Sequence, residues 1–217
     1  MTIFVEKLLN FVKSAFSKKN ITDIMTKITL LKTKSIKTIQ NSVNACYTVT
    51  KQCNISYKHI KEVHSMYTVF DVANWFLQKE PMDQKKLQKL CYYAQAWSYA
   101  LNGRPAFDGN FEAWVHGPVN RTLWNRFRTY GYQNIDTSDI KGARDISDGT
   151  LIELLEDVWV TYGNFTGWQL ENLTHTEIPW INAREGFYEF EPSDRVIDVK
   201  DMREYYHSLI SQEGIGE

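Results

Sequence analysis

The sequence predicts a mostly α-helical domain of the α+β class with a short two-stranded β-ribbon, preceded by a helical, basic N-terminal extension. Apolar residues recur at helical spacing in most segments, and only Phe111–Val115 and Glu191–Val196 are strand-like. The 217 residues suffice for one domain of about 150 residues together with an extension.

A break in composition at residue 66 divides the chain. Residues 1–66 contain 11 lysines, no arginine and three acidic residues, a net charge of +8, while the remainder carries −9. All 11 glycines, all five prolines and all seven tryptophans lie beyond residue 66. We therefore expect a lysine-rich extension at 1–66, helical or partly disordered, a domain at 67–211 and a frayed tail at 212–217.

The lysine-rich extension leaves several interpretations open. Apolar residues recur at helical spacing in its first 16 residues and again between about Asp23 and Val43. A basic amphipathic helix could bind an anionic membrane or a nucleic acid, dock on an acidic partner, or fold back on the acidic domain that follows it. The plainest alternative is a solvated leader, and one form of it has native translation starting at Met66.

Two helices are expected at the start of the domain. Tyr67–Leu77 has apolar residues at helical spacing, and Pro81 ends this segment because the residue before a proline is pushed out of helical backbone angles. Asp83 is a suitable N-cap for a second helix over Gln84–Leu101, which Asn102-Gly103 closes. Three lysines lie largely off the apolar stripe of this helix, on a face expected to be solvated: Lys85, Lys86 and Lys89.

A strand and a helix are expected next. Phe111–Val115 is the strand, and Gly117-Pro118 ends it. Proline suits the first turn of a helix, so Pro118 is expected to begin a helix that continues to about Tyr130. Residues 131–149 have the composition of a loop.

The last third of the domain is expected to be helical with one more strand. The strand Glu191–Val196 should pair with Phe111–Val115, because neither can be stable alone. Capping signals and periodicity place four helices, at Thr150–Tyr162, from the capping box Thr166–Gln169 to Thr174, at Pro179–Glu185, and at Val199–Ser211 behind Asp198.

No pattern in the sequence has the spacing of a known catalytic or metal-binding motif. The gap between Cys46 and Cys53 is too wide for a typical structural zinc site, and Cys91 lies on an apolar helix stripe, where a core thiol is expected. Neither a nucleophile elbow nor a phosphate-binding glycine loop occurs. We therefore expect no enzymatic activity, no metal and no cofactor.

Charge and hydropathy limit where the protein can be located and what it can bind. Three scattered cysteines and the lack of an apolar run of roughly 20 residues favour the cytoplasm. The −9 charge of the domain opposes binding to phosphates, so contact with nucleic acid or an anionic membrane is expected only through residues 1–66.

Three segments combine bulky aromatic residues with charged or hydrogen-bonding residues. Their tryptophans need partners for the indole N–H, and Glu112, Gln95 or Glu177 could accept that hydrogen bond. Arg184 could pair with Glu177 or stack on Trp180. Two interpretations stay open, a polar network that fixes packing and a partner-binding groove. The segments are Lys85–Trp97 (KKLQKLCYYAQAW), Phe111–Val119 (FEAWVHGPV) and Leu173–Arg184 (LTHTEIPWINAR).

In this order and spacing, the three segments resemble the Panacea domain. This is the SocA-like antitoxin family, which also includes the phage-associated protein GepA. The beginning of the domain, Val72–Leu77 followed by Pro81-Met82, also fits the family. The resemblance covers about residues 67–207, while the extension matches no helix-turn-helix.

The resemblance implies a cytoplasmic antitoxin that neutralises a cognate toxin, encoded by an adjacent gene, through direct protein binding. It also implies an alternative, a proteolytic adaptor that delivers a toxin to a ClpXP-type protease. A third and less favoured alternative is an uncharacterised hydrolase or metal enzyme centred on His175 and Glu177. The polarity and motif position of seven residues mark them as candidates for partner binding: Lys86, Trp114, His116, His175, Glu177, Trp180 and Arg184.

Overall fold

The computed structural model describes residues 66–211, so the predictions for residues 1–65 and for the tail 212–217 lie outside the described residues. The predicted fold class is confirmed, because helices dominate and two short antiparallel strand pairs accompany them. The elements are α1 (Val69–Leu77), β1 (Met82–Asp83), α2 (Gln84–Asn102), β2 (Glu112–Trp114), β3 (Gly117–Val119), α3 (Arg121–Phe127), β4 (Asn134–Ile135), α4 (Gly149–Tyr162), α5 (Gly167–Thr174), α6 (Ile178–Ala183) and α7 (Val199–Ser211).

Helix α2 forms the centre of the domain. It packs against α1, α4, α5 and α7, and most of its side chains are buried. The helix begins as predicted, because the Asp83 side chain accepts a hydrogen bond from the Lys86 backbone N–H, and it ends at Gly103 in a left-handed conformation. Within residues 66–211, no helix is long and apolar enough to cross a membrane.

Aromatic residues fill the space between α2 and its neighbours. Tyr93 stacks on Tyr162 of α4 with ring centroids 3.8 Å apart, and Trp97 meets Tyr206 of α7 edge-on at 4.9 Å. The Trp97 indole donates to the Tyr162 hydroxyl at 3.1 Å. Such pairs stabilise a core beyond the area they bury. The predicted helical stripe of α2 is therefore a true core face.

The segment after β2 differs from the prediction. Pro118 does not begin a helix but lies in β3, which pairs with β2 in the register Glu112 with Val119, Ala113 with Pro118 and Trp114 with Gly117. The helix starts later because Asn120 is its N-cap and accepts from the Leu123 backbone N–H at 3.0 Å. A proline is tolerated in a short ribbon where its nitrogen has no ladder bond to make.

The predicted pairing of the two strand-like segments is only partly present. Glu112 and Val196 form an isolated antiparallel bridge, and the Ala113 N–H donates to the Arg195 carbonyl at 2.8 Å. The chain around Val196 is not a continuous strand, so the ribbon partner of β2 is β3. A second strand pair, β1 with β4, was not predicted and lies partly in the segment expected to be a loop.

The remaining helix starts agree with the capping signals. Asp148 accepts from the backbone N–H groups of Thr150 and Leu151 at the start of α4. The capping box between Thr166 and Gln169 is present at α5, and Asp198 accepts from the Lys200 backbone N–H ahead of α7. Local hydrogen-bonding chemistry therefore fixes where these helices begin.

The dual role of Asn120 predicts a large stability loss for Asn120→Ala. The buried side chain caps α3 and also donates to the Asn110 carbonyl at 3.0 Å, so its removal deletes a cap and orphans a backbone acceptor. We expect urea-induced unfolding to show a loss of about 2–3 kcal/mol. Thr166→Ala is the control because it removes an exposed cap and should cost about 1 kcal/mol. Equal losses would contradict the buried role of Asn120.

Candidate functional site

The β2–β3 hairpin, residues 112–119, is the meeting point of the three aromatic segments. Its tip, Val115 and His116, connects the strands, and Gly117 follows with a φ of +86°. A side chain at Gly117 would be strained by this backbone angle and would also collide with its surroundings, because a Cβ there would lie 2.7 Å from both Lys89 Cε and Thr174 Oγ1. Glycine is therefore needed for conformation and for space.

Helix α2 holds the hairpin through two polar side chains. Lys89 Nζ donates to the His116 carbonyl at 2.6 Å and to the Pro118 carbonyl at 3.1 Å. Gln88 makes two hydrogen bonds with the Asn120 backbone. The side-chain oxygen of Gln88 accepts from the Asn120 N–H at 2.8 Å, and its side-chain nitrogen donates to the Asn120 carbonyl at 3.1 Å. These bonds satisfy backbone groups that the short ribbon leaves unpaired.

Lys89 is not on a solvated face, so that prediction was wrong. Only 1% of its surface is exposed, and Lys86 is also buried. Both lysines follow the helical spacing of Tyr93 and Trp97, which are buried too. Burial lowers the pKa of Lys89 to about 7, and the nearby Glu171 carboxylate opposes this shift.

Glu171 of α5 links helix α2 to the tip of the hairpin. Its carboxylate accepts from Lys85 Nζ and lies 2.8 Å from Nδ1 of His116. Burial raises the pKa of Glu171, but hydrogen bonds from Lys85 and His116 outweigh burial and hold the pKa below its ordinary value. The imidazole of His116 is otherwise open, because 73% of its side chain is exposed.

Helix α6 and Arg184, the residue that follows it, support the hairpin through the side chains of Trp180 and Arg184. The Trp180 indole donates to the Trp114 carbonyl at 3.0 Å, and Arg184 Nη1 donates to the Ala113 carbonyl at the same distance. The Arg184 guanidinium also stacks on Trp180, 5.3 Å from the ring centroid, as one interpretation of the sequence proposed. His175 stacks on Trp180 at 4.1 Å, and burial lowers the pKa of His175.

Trp114 lies at the outer side of the hairpin in a polar and aromatic setting. Its indole donates to Glu112 at 2.7 Å, which confirms Glu112 as an indole partner. Arg121 donates to both oxygens of Glu112, and Trp124 meets the Trp114 ring edge-on at 5.1 Å. Gln95 instead bonds backbone groups around Phe107.

Glu177 lies in the aromatic core and not in the hairpin cluster. The carboxyl accepts from the Tyr206 hydroxyl at 2.6 Å and from the Tyr93 hydroxyl at 3.2 Å. Burial raises the pKa of Glu177 to about 8, although these hydrogen bonds oppose the shift. Glu177 has no exposed surface with which to contact a partner.

Five of the seven candidate residues therefore meet at the hairpin, and two do not. Lys86 is buried elsewhere, donating to Glu80 at 2.5 Å and to the Gly163 carbonyl at 2.7 Å. Glu177 belongs to the core cluster. The hairpin group comprises Trp114, His116, His175, Trp180 and Arg184.

Sequence reasoning missed the residues that hold the hairpin. Lys89, Gln88, Glu171 and Asn120 were not candidates, although all are buried polar side chains with backbone or ionic partners. One signal was available, because Lys89 stands four residues before Tyr93 and eight before Trp97 on the same helical face. The other three have partners that only the tertiary fold brings near.

The described residues offer little for metal or nucleophile chemistry. Within residues 66–211 there is no group of three or more His, Cys, Asp or Glu side chains placed to hold a metal. Burial raises the pKa of the Cys91 thiol. A cavity of about 600 Å³ is lined in part by Tyr67, Arg104 and Arg144, and none of the seven candidates lines it.

These observations define a small helical domain that packs around helix α2 and carries a β-hairpin held by buried polar side chains. Residues 87–181, from α2 through the hairpin to α6, match the family described as the antitoxin SocA-like, Panacea domain. Residues 87–181 of the chain therefore carry a SocA-like Panacea domain. The resemblance stated from the sequence is confirmed.

One curated relative aligns with about half of the chain. Antitoxin SocA from Caulobacter vibrioides (strain NA1000 / CB15N) is 33% identical over 126 residues. The alignment spans 50% of this chain and 66% of the relative, just under two thirds of its length. No solved structure gave a significant match.

The close approach at Gly117 predicts that Gly117→Ala destabilises the domain. Gly142 is a matched control, because its φ of +84° is nearly the same and a Cβ there would meet nothing within 4 Å. We expect Gly142→Ala to cost about 1–2 kcal/mol in urea unfolding, from backbone strain alone. Gly117→Ala should cost about 1–3 kcal/mol more because Lys89 must move. Equal costs would show that the hairpin tolerates the displacement.

The raised pKa of Glu177 predicts a pH-dependent effect of Glu177→Gln. Between about pH 4.5 and pH 8, the folded protein holds a proton on this carboxyl that the unfolded chain releases. The carboxyl therefore stabilises the fold fully at low pH, and this stabilisation is lost as pH rises through 8. Glu177→Gln has no titratable group at this position, so the variant does not lose stability in this way as pH rises. Its stability relative to the wild type should therefore rise by up to about 1 kcal/mol per pH unit in this range.

Urea unfolding at several pH values between 5 and 9 would measure this difference. Glu189→Gln is the control, since it removes a carboxylate at an exposed position. Parallel stability curves for wild type and Glu177→Gln would contradict a protonated, buried Glu177.

Proposed function

We propose that this protein is an antitoxin that neutralises a cognate toxin, encoded by an adjacent gene, through direct protein–protein binding. The observation that carries the proposal is the match of residues 87–181 to the SocA-like Panacea domain. The relative that aligns over 126 residues is itself named an antitoxin, which supports the same role.

The outer side of the hairpin is the proposed toxin-binding surface. His116 is exposed at its tip, and Trp114 and Trp180 are each partly exposed beside it. Aromatic side chains with a polar handle are typical anchors of protein interfaces. Lys89 and Arg184 hold the backbone beneath this surface, so binding would lose little conformational entropy.

Binding, not catalysis, is the proposed mode of action. The grouping of His175 and Glu177 as a metal or hydrolase centre has little support, because His175 stacks on Trp180 while Glu177 is hydrogen-bonded to tyrosines in the core. We place the protein in the cytoplasm together with its toxin. Sequestration of the toxin is the favoured route. Delivery of the toxin to a protease is the alternative, and a measurement of toxin half-life distinguishes the two.

Co-expression of the adjacent gene tests the proposal. The neighbouring gene alone should arrest growth of a heterologous host, and this protein should restore growth and co-purify with the product. His116→Ala should weaken the complex by about tenfold or more, because it removes the exposed anchor at the hairpin tip. A harmless neighbour, or a toxic one that is not rescued, would refute the antitoxin function.

Two controls make the result specific. Tyr132→Ala removes an aromatic side chain that is 93% exposed outside the hairpin, so it should leave rescue unchanged. Thermal unfolding should show that His116→Ala is folded even without its bond to Glu171. A toxin half-life that is unchanged by this protein supports sequestration, and a shortened half-life supports delivery to a protease.

A further inference from the structure

A rigid turn lies beside helix α6 and is organised by Arg184. The Nη2 group donates to the carbonyls of Tyr188, Glu189 and Glu191 at 3.0, 3.3 and 2.8 Å. The turn is also closed on itself, since the Glu191 N–H donates to the Tyr188 carbonyl at 3.1 Å. A buried guanidinium thus fixes the backbone of residues 188–191, here named the Arg184 turn.

The Arg184 turn presents two aromatic side chains to solvent. Tyr188 is 85% exposed and Phe190 is 76% exposed. Neighbouring exposed aromatics on a backbone held in place are unusual on a surface that meets only water, and they mark interaction sites. The turn lies outside residues 87–181, so the family match does not account for it.

The surroundings of these aromatics are acidic. Four exposed acidic residues and no basic residue occur between positions 185 and 194: Glu185, Glu189, Glu191 and Asp194. The next cation, Arg195, is engaged locally, because it donates to the Glu185 carbonyl at 2.9 Å and lies 4.6 Å from the Phe187 ring centroid. The surface therefore suits a partner that carries both positive charge and apolar side chains.

We propose that the Arg184 turn is a docking surface for residues 1–65 of the same chain. That segment has 11 lysines, no arginine and three acidic residues, and its apolar residues recur at helical spacing. Its lysines match the carboxylates around the turn, and its apolar side chains match Tyr188 and Phe190. Covalent linkage makes the segment available at high effective concentration.

Photocrosslinking in the full-length chain, purified without any toxin, tests this docking. Replacing Tyr188 with p-benzoylphenylalanine places the crosslinker on the turn, and replacing Tyr132 places it on an equally exposed control aromatic. Illumination should join position 188 to peptides from residues 1–65 in a product of monomer mass. The yield from position 132 should be at least several-fold lower.

Charge reversal tests the chemistry of the docking. The double variant Glu189→Lys with Asp194→Lys leaves the Arg184-bound carbonyls in place and should lower the crosslink yield several-fold. The same loss is expected in 1 M salt, because dissolved ions then screen charges that lie more than about 3 Å apart. Crosslinks only in dimer-mass products, none to residues 1–65, or equal yields from positions 188 and 132 would overturn the proposal. Because no toxin is present, these outcomes are independent of the antitoxin test.

Discussion

The buried ammonium group of Lys89 is the interaction on which the hairpin depends. A charged lysine in a protein interior costs several kcal/mol unless polar groups replace the water it loses. Here the carbonyls of His116 and Pro118 and the nearby Glu171 carboxylate compensate, and the lowered pKa shows that burial still dominates. Since the neutral amine can also donate two hydrogens, the hairpin keeps its support on either side of pH 7.

Several buried polar residues of the three aromatic segments point inward, because a ribbon of two three-residue strands cannot satisfy all of its own backbone groups. Gln88, Lys89 and Arg184 each donate to carbonyls in or next to the hairpin. This arrangement gives a short, otherwise marginal ribbon a fixed position on a helical core. Among residues 112–119, His116 at the tip is the most exposed, and Trp114 is partly exposed beside it.

Two surfaces of the domain are therefore organised by buried cations. Lys89 fixes the hairpin that we propose for toxin binding, and Arg184 fixes both the hairpin and the acidic turn that follows it. Through Arg184 the two surfaces share one support, since its two terminal nitrogens bond the Ala113 carbonyl and the carbonyls of the turn. The placement of α6 thus affects both.

The helical class, the similarity to the Panacea domain and most helix starts could be predicted from the sequence, because capping is local. Asp83, Thr166 and Asp198 act on backbone groups within three residues, so their chemistry can be recognised in a short window.

Which polar residues are buried depends on the tertiary structure. Lys89 lies 27 residues from the His116 carbonyl it bonds, and Glu171 lies 55 residues from His116. Pro118 has a strong local preference for a helix start, but the hydrogen bonds from α2 place it in a strand. Local signals specify where helices begin, whereas burial depends on which distant elements pack together.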